Sequence, residues 1–143
     1  NPVFERWRGR IAARKAEWDI ADSIFRNVLK KAEKKLEGYN TPMVRREANY
    51  YIGNNLKNKG DYTEAFSYYK KCIEDSKKID DDKASGFRIN ATLYSGTIME
   101  TKGKFNEAKK YYNAVLDMRE FNNSHKLAET YLARIDKLEK QSK

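Results

Sequence analysis

Four aromatic residues stand where they could grip a partner. Trp7, Tyr51 and Tyr94 recur at intervals of 44 and 43 residues, and Tyr131 joins them when Ala133 is taken as the matching small residue of the last helix. Three residues further along each helix, on the same side, come Arg10, Asn54, Thr97 and Arg134. Large rigid rings supply contact area, and amide or guanidinium groups satisfy the backbone or carboxylates of an extended peptide. The same stripe has a structural reading, because rings at helical spacing also pack between adjacent helices.

A different chemistry is available in the first helix. Arg6, Arg8, Arg10, Arg14 and Lys15 interleave with Trp7. Such a basic patch with an aromatic ring could hold phosphates and stack a base, so RNA or DNA binding is the alternative function. A solvated helix face produces the same run of charge.

Catalysis has few groups to work with. His125 is the single histidine and Cys72 the single cysteine, so neither a common metal site nor a nucleophile–base pair can be assembled from these types. His125 falls near a helix start and reads as a surface or capping residue. Cys72 lies in an apolar helical register and reads as a small core residue. The interval from Gly96 to Gly103 has the wrong length for a phosphate loop. The expectation is a chain that is not an enzyme and has no metal and no cofactor.

Charge and length bound the partners. The 143 residues carry 30 basic and 21 acidic side chains, a net charge of +9. Residues 1–46 alone hold 12 basic against 6 acidic, so the excess is concentrated in the first helical pair. That field attracts acidic peptides, nucleic acids or anionic surfaces. A charged fraction of 36% leaves room for only a narrow core. The lone cysteine suits a cytoplasmic or other reducing compartment, and no apolar run approaches the roughly 20 residues of a membrane span. A chain that starts at Asn1 reads as a processed product or an excised piece.

The elements that must position these residues are helices. Gly60 to Ile73, GDYTEAFSYYKKCI, is echoed by GKFNEAKKYYNAVL from Gly103 to Leu116 and, more weakly, by Ala16, Trp18, Ala21, Phe25 and Val28-Leu29. Ala65, Tyr69, Cys72 and Ile73 share one helical face. Gly9, Gly53 and Gly96 each lie seven residues before a turn, which suggests close approach of two helix backbones there. Capping and breaking signals divide the chain into seven helices: to about Arg14, then Glu17–Glu37, Pro42–Asn58, Tyr62–Lys78, Lys83–Thr101, Phe105–Phe121 and His125–Lys140. The Asp80-Asp81-Asp82 cluster is expected to cap the fifth helix and Ser124 the seventh.

These residues resemble the tetratricopeptide repeat (TPR) in an extended variety with a period of 43–44 residues. The resemblance implies an all-α solenoid of antiparallel helix pairs in a single domain: a degenerate repeat at 2–38, repeats at 42–78 and 83–121, and a capping helix at 124–141. It also implies a protein-interaction module whose concave groove takes a peptide or protein segment, as a scaffold, adaptor or sensor domain. Within it Trp7, Tyr51, Tyr94, Tyr131, Arg10, Asn54 and Arg134 are the groove candidates. The family's carboxylate clamp is not expected, since Tyr51, Asn90 and Tyr94 stand where members of that set belong. Exposed solenoid ends leave self-association open.

Overall fold

The computed structural model describes residues 1–142. Their helices are α1 (Pro2–Arg14), α2 (Trp18–Glu33), α3 (Pro42–Asn58), α4 (Tyr62–Ile79), α5 (Gly86–Thr101), α6 (Phe105–Leu116) and α7 (Ser124–Gln141). Each helix packs on the next in sequence, and α3 touches α5 as α5 touches α7. The result is three helix pairs and a closing helix, an all-α solenoid.

Helix starts follow the chemistry of orphan N–H groups. Asn1 and Thr41 accept from the backbone two or three residues on, each ahead of a proline at the first helical position. The fifth helix departs from expectation. Ser85, not the aspartate cluster, caps it by accepting from the Arg88 N–H. Asp80 instead accepts from the Ser85 N–H at 2.9 Å and pairs with Arg46 at 2.8 Å, which ties the loop back to α3.

Two helices also stop early. Lys35 adopts a left-handed conformation (φ 57°), with the Leu36 N–H closing on the Lys31 carbonyl, so α2 ends at Glu33. The chain then turns to bury Tyr39, whose hydroxyl donates to Glu5 at 2.6 Å. After α6 the chain leaves the helix at Leu116, and Phe121 comes to rest against Gly86. Ser124 does not cap α7. Its hydroxyl accepts from the Phe121 N–H, while the Glu120 carboxylate takes the His125 N–H at 2.9 Å.

The core is a ribbon that runs through α3 and α5 and takes in one face of each second helix. Ala21, Phe25, Val28 and Ala32 of α2 are buried, as are Ala65, Tyr69, Cys72 and Ser76 of α4 and Ala108, Tyr112 and Val115 of α6. Full burial of each large side chain contributes about 1.5–3 kcal/mol, so the ribbon rather than intrinsic helix propensity holds the stack. Burial pushes the Cys72 thiol up to about 12, in keeping with an inert core residue. The periodic glycines have a specific task. A Cβ on Gly9, Gly53 or Gly96 would lie 2.6, 2.9 or 2.5 Å from the rings of Phe25, Tyr69 and Tyr112 respectively. The close approach is therefore of helix to ring, not of backbone to backbone.

Candidate functional site

Each of those rings has a second neighbour. Phe25 stacks on Tyr51 with centroids 4.8 Å apart, Tyr69 packs on Tyr94 at 5.7 Å, and Tyr112 on Tyr131 at 5.4 Å. The aromatic register read from the sequence is thus a ladder in which one pair's second helix meets the next pair's first. Among the described residues no second helix of another pair meets Trp7, whose ring stacks on Phe4, 5.9 Å away on its own helix. Packing engages Tyr51, Tyr94 and Tyr131, which remain half-buried; Trp7 is 53% exposed.

The polar row is engaged as well. Arg10 and Arg6 converge on Glu47, at 3.3 and 2.7 Å, and that carboxylate is 1% exposed. A buried carboxylate needs such compensation, since removing one partner of a buried pair is costly. Arg134 grips Glu100 through Nε and Nη2 and lies 4.4 Å from the Tyr131 ring centre, while the Tyr112 hydroxyl donates to the same carboxylate. Asn54 accepts from the Tyr69 hydroxyl at 2.5 Å. Arg10, Asn54 and Arg134 therefore have internal partners, and Arg6 is drawn away from the basic run. Arg8, Arg14 and Lys15 stay exposed, with no ion pair among the described residues.

Between α3, α5 and α7 lies a cavity of about 260 Å³. Tyr94 and Tyr131 line it with Asn90, Thr97 and Leu127, and Lys57 reaches in from α3. The Lys57 ammonium sits 3.6 Å from the centre of the Tyr94 ring, a cation–π contact. No carboxylate pairs with it among the described residues. Burial holds its pKa below the ordinary lysine value. Beneath it Tyr50 packs against Tyr51, Tyr69, Phe87 and Tyr94, and its hydroxyl accepts from the Asn90 amide at 3.2 Å. A charged donor with one face desolvated and no internal counter-ion is equipped to bind an incoming anion.

The sequence stripe reached Tyr94, Thr97 and Tyr131 but passed over Lys57. One more three-residue step beyond Asn54 arrives at it. The equivalent position in the next pair is Glu100, of opposite charge, so the repeat itself gives no hint of the role. A larger hollow of about 370 Å³ between α2, α3 and α4 offers less to a ligand, because its Arg45 is already paired with its Asp75 at 3.5 Å. Among the described residues, no group of three or more His, Cys, Asp or Glu side chains gathers as a metal site would require, and no helix is long and apolar enough to cross a membrane.

Comparison with known proteins agrees with the fold. The tetratricopeptide repeat family matches residues 47–74 and 95–122. Among solved structures, the chain is similar to the crystal structure of the TPR domain of Arabidopsis FLU, with a TM-score of 0.65 and 23% identity. The match covers 80% of this chain and 91% of that one. No curated protein matches the chain.

Proposed function

We propose that this tetratricopeptide-repeat solenoid, a protein–protein interaction module, binds an acidic segment of a partner protein in the cavity between α3, α5 and α7. The observation that carries the reading is the unpaired Lys57 ammonium beside Tyr94. A partner Asp or Glu carboxylate would complete the ion pair that Lys57 lacks, and its amide groups would meet Asn90 and Thr97. Tyr94 and Tyr131 form the walls. Because neighbouring repeats already hold these side chains in place, most of the ordering cost falls on the incoming segment. Tetratricopeptide repeats are in general a non-catalytic interaction fold, and the site acts here by presentation, as in an adaptor or scaffold.

An array of acidic decapeptides, with a matched array carrying Asn and Gln in place of Asp and Glu, tests the reading. Wild type should retain acidic peptides selectively, and Lys57→Gln should lose them while melting no earlier than wild type. Equal binding to both arrays, or indifference to Lys57→Gln, would refute the site. Capture of single-stranded RNA that depends on Arg8, Arg14 and Lys15 would move the function to the first helix.

A further inference from the structure

The first helices of the pairs do not balance their charges evenly. Where α5 faces α7, Arg134 and Glu100 pair one to one, and the Tyr112 hydroxyl donates to the same carboxylate. Where α1 faces α3, two arginines share the single carboxylate of Glu47, which is 1% exposed. They share it unequally. Arg6 Nε donates to Oε1 at 2.7 Å from a side chain that is 12% exposed, whereas Arg10 Nη1 only approaches Oε2 at 3.3 Å and its side chain is 34% exposed. The closer and more deeply buried guanidinium is the one that compensates Glu47, so Arg10 carries the surplus charge.

That surplus does not depend on where the chain begins. Arg10, Asn54 and Thr97 share one repeat position. Asn54 and Thr97 each have another helix pair packed on their N-terminal side, yet both stay only partly buried, and Thr97 lines the cavity beside Lys57. The position opens along the inner face rather than toward the end of the stack.

Lys57 lies three residues beyond that position, about 4.5 Å along the helix axis, on a helix about 10 Å across from α1. The two cations are thus about 11 Å apart by register. An extended chain advances about 3.3 Å per residue and turns every second side chain to the same face. Acids four residues apart span about 13 Å on one face, a match that flexible side chains close; adjacent acids point to opposite faces. Resting on the cavity reading above, we infer that the partner's acidic segment carries two acids four residues apart, one meeting Lys57 and the other Arg10. Arg10 sets the spacing. Beyond Lys57 there is no further surplus, because Glu100 balances Arg134 and Leu93, Leu127 and Tyr131 form the wall. Charge complementarity therefore asks for acids toward α1 and an apolar residue toward α7.

The probes are fluorescein-labelled peptides of equal length on one Ser/Thr background, with a single Glu or with two Glu one, four or eight residues apart, titrated by anisotropy against the whole chain. The spacing of four should bind about fivefold tighter than the single acid, and the other spacings within about twofold of it. Arg10→Gln should bring the spacing-of-four peptide down to the affinity of the single-acid peptide, and Arg10→Lys should restore most of the gain. Arg6 keeps Glu47 paired in both variants, whose folding circular dichroism checks, and the spacing series reads the same question on the unaltered chain. Single-acid binding that is absent, or that survives Lys57→Gln, overturns the cavity reading and this inference with it. Single-acid binding that Lys57→Gln abolishes, joined to an equal gain at every spacing, no gain at four, or a gain that survives Arg10→Gln, overturns this inference alone.

Discussion

Lys57 and Glu100 occupy one repeat position with opposite fates. Glu100 is held by Arg134 and Tyr112, whereas Lys57 has only a ring among the described residues. Burial disfavours the ammonium, so the folded chain releases that proton at a lower pH than an unfolded lysine does. The consequences have opposite signs. Acidic-peptide affinity should fade as pH rises through the depressed pKa, before an exposed lysine near 10.4 would lose its charge. Over the same window the Lys57 contribution to stability should rise, because the unfolded chain binds more protons there. Titrating affinity and melting temperature together from neutral to alkaline pH, against Lys57→Gln, reads both effects. Gly96 gives a second test. Alanine would gain roughly 1 kcal/mol in helix propensity, but its Cβ would lie 2.5 Å from a Tyr112 ring that is buried and tethered to Glu100. Overpacking costs about 1–3 kcal/mol. Gly96→Ala should therefore lower stability by about 1 kcal/mol in chemical denaturation.

At the scale of elements, the turns between paired helices share one conformation. Gly60 and Gly103 hold φ of 84° and 74°, and Ala16 is forced to 58° at the same place. An L-residue there carries about 1–2 kcal/mol of strain, partly offset because glycine has more freedom to lose. Ala16→Gly should raise stability by about 0.5–1 kcal/mol, measured by urea unfolding. Helix number, pairing and the buried positions Ala65, Tyr69 and Cys72 were legible in the sequence, because each rests on local periodicity repeated at a fixed interval. The end of α6 was not. Nothing within Asp117–Phe121 breaks a helix; what ends it is the fit of Phe121 against Gly86, a contact across 35 residues. The fifth helix start failed for a similar reason, since Asp80 answers Arg46 on α3 instead of capping. In the candidate site, spacing located Tyr94 and Tyr131, but no spacing reveals that Arg10 and Arg134 already have carboxylates while Lys57, among the described residues, has none.

Across the whole molecule, stability is passed from neighbour to neighbour. Among the described residues, α7 covers the far side of α6: Tyr131 lies on Tyr112, Lys109 pairs with Glu139, and Arg134 with Glu100. A chain ending at residue 121 should lose amide protection in α6 first, while α3 and α4, flanked on both sides, keep theirs; hydrogen exchange resolved by helix distinguishes this from uniform loosening. The glycine–ring–ring ladder also makes each junction interchangeable with the next. Gly60 and Gly103 hand the chain on in the same left-handed turn, and both rings that follow find the same seats. A second copy of residues 61–103 spliced in after Gly103 would meet familiar surfaces at both ends. The period is thus a unit of growth: a single in-register duplication lengthens the molecule by one helix pair and reuses the same glycine–ring seat at each new junction.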